Sequence, residues 1–154
     1  MRGMKMSEKI DYEITNTITP EEYLEMRTSV GWSIFPLEQA ANGLEHTAHI
    51  CCIRNKENGQ PLAMGRMLWD HGYTAYVSDI IVRPDFQGQG FGRMVMNDLM
   101  AYIKSVMKSG YRIMVSLKAA KGKEGFYKKF GFIERPNEDF GPGMHQWINS
   151  EEGK

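Results

Sequence analysis

The chain has 154 residues, a length typical of one domain of roughly 100–200 residues. Its 19 Lys and Arg balance its 19 Asp and Glu, and 42% of its residues are apolar, which argues against nucleic acid or anionic membranes as partners and against extended disorder. It has neither the ~20-residue apolar run that spans a bilayer nor a secretory signal at its basic start, so we expect one cytoplasmic domain over residues 1–154 with short flexible ends at about residues 1–9 and 150–154.

The first third of the chain predicts a strand followed by two helices. Residues 11–15 alternate as a strand does, and Thr19-Pro20-Glu21-Glu22 is a capping-box pattern with Pro at the first helical position. This pattern predicts a helix that ends near Gly31. A second short helix is expected from near Pro36 to residues 42–43, after an aromatic-bearing loop.

Three strand-like stretches follow, at residues 47–53, 62–69 and 73–82, and turn sequences between them predict an antiparallel meander. Cys51 and Cys52 lie in the first of these strands. Neighbouring strand residues point to opposite faces, so we expect one thiol in the core and one outside, both reduced. The nearby histidines match no standard zinc spacing, so we expect no metal site.

The second half of the chain predicts one long helix and several short elements. Apolar residues repeat at helical spacing from Gly90 to Ser109, and Gly110 stands where a helix-ending glycine is expected. A strand at residues 111–117 and a short helix at residues 124–130 follow, and two last strands are expected at residues 132–134 and 144–148. The order of elements predicts an α/β (α+β) protein with a mixed sheet and helices on its faces.

The junction between the third meander strand and the long helix reads Gln87-Gly88-Gln89-Gly90-Phe91-Gly92-Arg93. Alternate glycines allow several amides to converge, and the helix N-terminus adds unpaired donors and a positive dipole end, which suits a pyrophosphate. The P-loop and dinucleotide patterns do not fit the spacing of these glycines. The alternative is a plain tight turn, but three glycines exceed what such a turn needs.

Residues 80–92 closely resemble the acetyl-CoA-binding segment of the GNAT N-acetyltransferase superfamily. The family motif Q/R-x-x-G-x-G/A is matched by Gln87, Gly90 and Gly92, and residues 125–132 resemble the family signature FYxKxGF. The order of elements also matches from about residue 11 to residue 148. The resemblance implies a single GNAT-like domain, with a mostly antiparallel sheet of six to seven strands flanked by about four helices.

The resemblance also implies transfer of an acetyl group from acetyl-CoA, as co-substrate and without a metal, to a primary amine that attacks the thioester directly. In that family the pyrophosphate lies on the loop amides, and the pantetheine arm extends beside the preceding strand through backbone bonds. The implied acetyl-CoA residues are Ile80, Ile81, Val82, Gln87, Gly88, Gln89, Gly90, Phe91, Gly92 and Arg93.

Acetyl transfer to an amine needs a base, because an unperturbed alkylammonium has a pKa near ~10, together with an N–H donor for the oxyanion and a proton for the CoA thiolate. Tyr127 occupies the family position of the tyrosine near the CoA sulfur, and the alternative is a core aromatic of a short helix. The family-based oxyanion donor is strand backbone near Ile81 and Val82.

Asp79 is the candidate base, because a carboxylate is unusual in an otherwise apolar strand. The alternative is that it shapes a β-bulge. Without a bulge, Tyr76, Ser78 and Ile80 share one strand face and Asp79 lies on the other.

The acceptor pocket is expected to draw on Arg27, Trp32 and Phe35 and on the turn-rich loop at residues 135–144. Lys118 replaces an Asn that is frequent in the family, which leaves one secondary contact in doubt. A small-molecule amine is favoured as acceptor, but a protein lysine and a non-catalytic acetyl-CoA sensor stay open. We expect no nucleic-acid or membrane partner, and a homodimer through an exposed C-terminal strand is an option.

Overall fold

A computed structural model describes residues 9–150, so the predicted flexible ends lie outside the described residues except at positions 9 and 150. The chain divides into two compact units, residues 1–117 and 118–154. The first unit contains, in chain order, β1 (Tyr12–Thr15), α1 (Pro20–Ser29), α2 (Leu37–Glu45), β2 (His49–Asn55), β3 (Pro61–Trp69), β4 (Thr74–Val82), α3 (Phe91–Val106) and β5 (Met114–Ser116).

The five strands form one sheet in the order β1-β2-β3-β4-β5. The first four strands pair antiparallel, which confirms the predicted meander, and β5 pairs parallel with β4. Side chains build the tight turns between the strands. The Asp70 carboxylate accepts hydrogen bonds from the amides of Gly72 and Thr74 at 2.7 and 3.2 Å, which closes the β3–β4 turn.

Helices α1 and α2 cover one face of the sheet. The capping box of α1 is present as predicted: the Glu22 amide donates to Thr19 Oγ1 at 3.1 Å, and the Thr19 amide donates to the Glu22 carboxylate at 3.0 Å. The second helix runs two residues further than expected, through Gly43 to Glu45, because its later turn buries Leu44 in the core.

Helix α3 packs on the other face. A Cβ atom at Gly65 of β3 would lie 2.6 Å from both Ile80 Cδ1 and Val95 Cγ1, so the absence of a side chain lets α3 approach the sheet closely. The helix ends at Val106, three residues earlier than the prediction, and the left-handed Gly110 belongs to the following turn.

The prediction for the two thiols was half wrong. Cys51 and Cys52 are both free and both have 0% of their surface exposed. The two side chains do point to opposite faces, but helices cover both faces of the sheet, so neither thiol reaches solvent. Cys52 joins the cluster that α1 and α2 form with the sheet.

Within residues 118–150, the second unit contains one helix, α4 (Glu124–Lys128), which confirms the predicted short helix. Residues 135–141 are held in a turn: the side-chain Oδ1 of Asn137 accepts from the amides of Asp139 and Phe140 at 2.8 and 2.9 Å, and Arg135 Nε donates to the Gly141 carbonyl at 2.7 Å.

The expected sheet of six to seven strands is wrong, because five strands form among the described residues. No strand forms at residues 132–134 or 144–148. A strand requires a neighbouring edge, but the Phe132 amide donates only locally, to the Tyr127 carbonyl at 3.4 Å, and neither segment pairs with a strand among residues 9–150. Met144, Trp147 and Ile148 are accordingly 80–88% exposed.

Candidate active site

The glycine loop begins directly after β4 and leads into α3. A 3-10 turn at Pro84–Phe86 redirects the chain, and Gly88 and Gly90 then adopt left-handed φ values of 81° and 91°. Gly90 is the N-cap of α3, where its carbonyl accepts the Met94 amide at 3.1 Å. Glycine suits both positions because a Cβ disfavours this backbone region.

The loop presents a row of free donors. Within the described residues, no backbone or side-chain acceptor receives the amides of residues 88–93. These amides lie at the positive end of the α3 dipole, an arrangement that binds anions. The loop therefore has the donors that the sequence predicted.

Side chains of the loop divide into two groups. The Phe91 ring is buried and packs edge-on against Tyr12 at 5.5 Å, so only its backbone faces the loop. Arg93 is exposed, and its guanidinium lies next to Gly90, 3.4 Å from where a Cβ would stand. Arg93 thus adds a cation beside the free amides.

Strand β4 has an open edge beside this loop. β5 pairs only with Thr74–Tyr76, so residues 77–82 lack a neighbour there among the described strands. The Arg83 amide donates to the Leu62 carbonyl of β3 at 2.9 Å. Because backbone groups alternate between the edges of a strand, the amide and carbonyl of Val82 face the open edge. Consistently, Gln87 Nε2 donates to the Val82 carbonyl at 3.0 Å.

A β-bulge interrupts the pairing of β4 with β3 at Asp79. Ser78 pairs with Arg66 and Ile81 pairs with Met64, so Asp79 and Ile80 together oppose the single residue Gly65. Asp79 has a φ of 56°, in the left-handed region that non-glycine residues seldom adopt. The bulge turns the Asp79 side chain to the same side as Ser78. The regular alternation that would place Tyr76, Ser78 and Ile80 on one face is therefore interrupted.

The Asp79 carboxylate forms the centre of a buried ionic cluster, with a side-chain exposure of 6%. Oδ1 accepts from Arg27 Nη1 at 2.7 Å, and Oδ2 accepts from Tyr23 Oη at 2.6 Å, Arg66 Nε at 2.9 Å and Ser78 Oγ at 3.2 Å. Both oxygens are therefore occupied by donors. To act as a base, the carboxylate would have to release one of them.

The predicted acceptor residues lie together beside this cluster. The Arg27 guanidinium lies 5.5 Å from the centre of the Trp32 ring and 5.1 Å from that of Phe35, and its Nε donates to the Ser33 carbonyl at 2.7 Å. Arg27 thus joins the aromatic loop to Asp79. Trp32 is 37% exposed and offers an accessible aromatic surface.

Two residues of the cluster were missed by the sequence interpretation. Tyr23 lies in the predicted first helix and was not singled out; its burial together with the charge of Asp79 raises its pKa to about 12. Arg66 stands in the apolar strand β3, where a cation needs a buried partner. The sequence does place one charged residue in each of two adjacent, mostly apolar strands, and this pattern could have predicted their ion pair.

Tyr127 lies in α4, in the second unit. It is half-buried, with the Phe126 ring centre at 5.0 Å and the Phe132 ring centre at 6.4 Å. Its catalytic role stays a prediction that rests on the resemblance of its segment.

Among residues 9–150, no three His, Cys, Asp or Glu side chains come together to hold a metal ion. Helices with both the length and the apolar character to cross a membrane are also lacking in this part of the chain. Burial raises the pKa values of both cysteine thiols, which disfavours them as nucleophiles.

Comparison with known proteins places these features in one family. The family model described as acetyltransferase (GNAT) family matches residues 12–132. An uncharacterised N-acetyltransferase, ycf52, of Porphyra purpurea is 31% identical over 80% of this chain and 70% of its own length. The chloroplastic serotonin N-acetyltransferase 2 of Oryza sativa subsp. japonica is 30% identical over 73% of this chain, which spans only 56% of that relative.

A solved structure shows the same likeness. A Staphylococcus aureus protein of unknown function, named a probable acetyltransferase, is 30% identical with a TM-score of 0.77. The match covers 89% of this chain and all of that one.

Proposed function

Since the chain belongs to the GNAT family of acetyltransferases, we propose that it transfers an acetyl group from acetyl-CoA to a primary amine. The observation that carries the choice of donor is the row of free amides at residues 88–93 beside the open edge of β4. A pyrophosphate needs such amides, and a pantetheine arm needs such an edge.

The loop supplies the pyrophosphate site. Six amides and the dipole of the 16-residue helix α3 favour a doubly charged group, and the exposed Arg93 adds a cation. Gln87 contributes by holding the loop to the end of β4 through the Val82 carbonyl.

The open edge of β4 supplies the pantetheine site and the oxyanion donor. Pantetheine carries two amides, which extend the sheet as an added strand would. Of the two residues expected to stabilise the oxyanion, the register supports Val82, because the amide of Ile81 is directed toward β3.

Asp79 and Tyr127 are the candidate residues for the two proton transfers. In one assignment Asp79 accepts the ammonium proton, and in the other it shapes the bulge. The four hydrogen bonds that its carboxylate accepts support the bulge-shaping role. The Tyr127 phenol donates a proton to the departing CoA thiolate, an assignment that rests on the family signature.

Tyr127→Phe tests the second assignment. We expect turnover to fall at least tenfold while the affinity for acetyl-CoA stays near that of the wild type, because the thiolate that the phenol protonates forms only during the reaction. Steady-state kinetics with detection of free CoA thiol and calorimetric titration measure the two quantities. Unchanged turnover would reduce Tyr127 to a packing residue.

Gly92→Asp tests the donor site, with Gly92→Asn as the uncharged control of the same size. An acidic residue in the first turn of a helix is compatible with folding, so lost binding is not attributable to lost structure. We expect wild type to bind acetyl-CoA in calorimetry with micromolar affinity and Gly92→Asp to lose that binding. Gly92→Asn should fall between them. A folded wild type that does not bind acetyl-CoA would refute the proposal.

The acceptor is proposed to be a small-molecule amine, with an aromatic amine first in the panel. The exposed Trp32 ring supports this order, as does the similarity to a serotonin N-acetyltransferase. Free amino acids, polyamines and a lysine peptide complete the panel. Turnover of the peptide alone would favour a protein acceptor, and acetyl-CoA binding without any turnover would favour a sensor.

We keep the cytoplasm as the proposed compartment, although relatives from chloroplasts are known.

A further inference from the structure

The bulge at Asp79 decides which backbone amide of β4 faces the open edge. If the pairing continued regularly from Ser78 and Arg66, with no extra residue in β4, Val82 would pair with Leu62. The Val82 amide would then donate to β3. The extra residue moves the pairing by one position, so Arg83 donates to the Leu62 carbonyl instead. Val82 is thereby turned to the open edge.

The left-handed backbone that makes this bulge has no glycine to favour it. A side chain at positive φ is disfavoured, so the surrounding contacts must hold Asp79 in place. Those contacts come from two other elements: Tyr23 and Arg27 belong to α1, and Arg66 belongs to β3.

We refer to Tyr23, Arg27 and Arg66 around Asp79 as the clamp. The two arginines of the clamp are themselves held by further hydrogen bonds. Arg66 Nη1 donates to Thr47 Oγ1 at 2.7 Å and to the Gly43 carbonyl at 3.2 Å, while Arg27 is held by the Ser33 carbonyl. The side chains of Arg27 and Arg66 are 16% and 11% exposed, so little solvent competes for the carboxylate.

We propose that Asp79 is a positioning residue, locked by Tyr23, Arg27 and Arg66, that sets the register of β4 and so presents the Val82 amide to the acyl donor. The inference rests on the proposed function and adds three residues to it. It also assigns the buried carboxylate a role other than proton transfer.

The test compares Asp79→Gly with Asp79→Ala. Both changes remove the carboxylate and leave the same two arginines without their partner. A difference in Kd between the two variants therefore reports on the backbone preference at position 79. Glycine adopts the left-handed conformation readily and alanine does not. We expect the Kd of acetyl-CoA, measured by calorimetry, to be at least threefold higher for the alanine variant than for the glycine variant.

The outcomes separate the competing roles. Equal Kd values for the two variants would overturn the positioning role. If Asp79 were instead the base, both variants would lose turnover to the same extent, keep the wild-type Kd and lose the pH limb of kcat. If the wild type does not bind acetyl-CoA, the proposed function itself is refuted. The wild-type titration therefore distinguishes this outcome from failure of the positioning role.

Tyr23→Phe gives a second measurement if Asp79→Ala fails to fold. It removes one donor of the clamp and leaves Asp79 in place, with the ring still packed beside Phe35. We expect the Kd of acetyl-CoA to rise at least twofold while the pH dependence of kcat is unchanged. An unchanged Kd in a less stable variant would mean that the clamp serves stability alone and would overturn the proposal.

Discussion

Single charged residues in this protein are held by donors from distant parts of the chain. Asp79 shows this at the bulge, where one carboxylate is compensated by two guanidinium groups, a phenol and a hydroxyl. Removing one partner of a buried ion pair typically costs about 3–5 kcal/mol, because the remaining charge stays in a poorly hydrated place. The cluster therefore ties α1 to β3 and β4.

Glu22 shows the same behaviour nearer the surface. Its carboxylate accepts from Arg54 Nη1 at 2.8 Å and Arg54 Nη2 at 2.9 Å, as well as from the Thr19 amide. The Arg54 hydrogen bonds are the main reason that the pKa of Glu22 falls to about 2. The folded state thus favours the ionised carboxylate.

Glu22→Gln should lower the free energy of unfolding by about 1 kcal/mol at pH 7, since the pair is partly exposed. The wild-type advantage is present above the ordinary pKa near 4.5 and is lost as the pH falls toward about 2. Urea unfolding of both proteins between pH 2 and pH 7 measures this. Glu21→Gln, an exposed residue of the same turn, serves as the control, and a pH-independent difference would contradict the linkage.

Among the secondary-structure elements, β3 and α3 approach each other closely at Gly65. Gly65 faces the helix where Ile80, Val95 and Leu99 converge, and a methyl group would come within 2.6 to 3.0 Å of these side chains. Real contacts are longer, so the helix or the strand would have to move. The close approach also places the start of α3, and hence the glycine loop, relative to β4.

Gly65→Ala should destabilise the protein by about 1–3 kcal/mol through overpacking. Gly43→Ala is the matched control, because the nearest atom to its added Cβ is 3.8 Å away and the position lies inside α2. The control should gain about 0.5–1 kcal/mol from helix propensity. Thermal unfolding followed by circular dichroism distinguishes them. Equal shifts in both variants would contradict the packing argument.

At the scale of the whole molecule, helices cover both faces of the sheet in the first unit. Strand β2 lies between β1 and β3, and its two thiols point to opposite faces with 0% exposure. Access to Cys51 requires α3 to separate from the sheet, and access to Cys52 requires α1 and α2 to separate from it. Because small domains unfold cooperatively, we expect the reactivity of both thiols to report on opening of the unit as a whole.

Cys51 and Cys52 should react with an aromatic disulfide reagent at the same slow rate in the native protein, and the rate should rise with urea in step with global unfolding. Mass spectrometry of the labelled peptides, using Cys51→Ser and Cys52→Ser variants, resolves the two rates. Fast labelling of one thiol in native buffer would contradict the structure and indicate that its covering helix detaches.

The local elements and the family could be predicted from the amino-acid sequence. The capping box at Thr19, the turns of the meander and the loop at residues 87–93 were all predictable, because each depends on side chains that are near in the chain. The acetyltransferase family followed from the glycine spacing and the second motif.

The tertiary structure alone decided the burial of both thiols, the absence of the last two strands among the described residues, and the cluster around Asp79. The ion pairs of Asp79 join residues 13 and 52 positions away in the chain, and no local pattern specifies such partners. The direction of the Val82 amide depends on a single extra residue in the strand pairing. Alternation predicts a regular strand, whereas the bulge exists because contacts from two other elements hold one residue in an unfavourable backbone conformation.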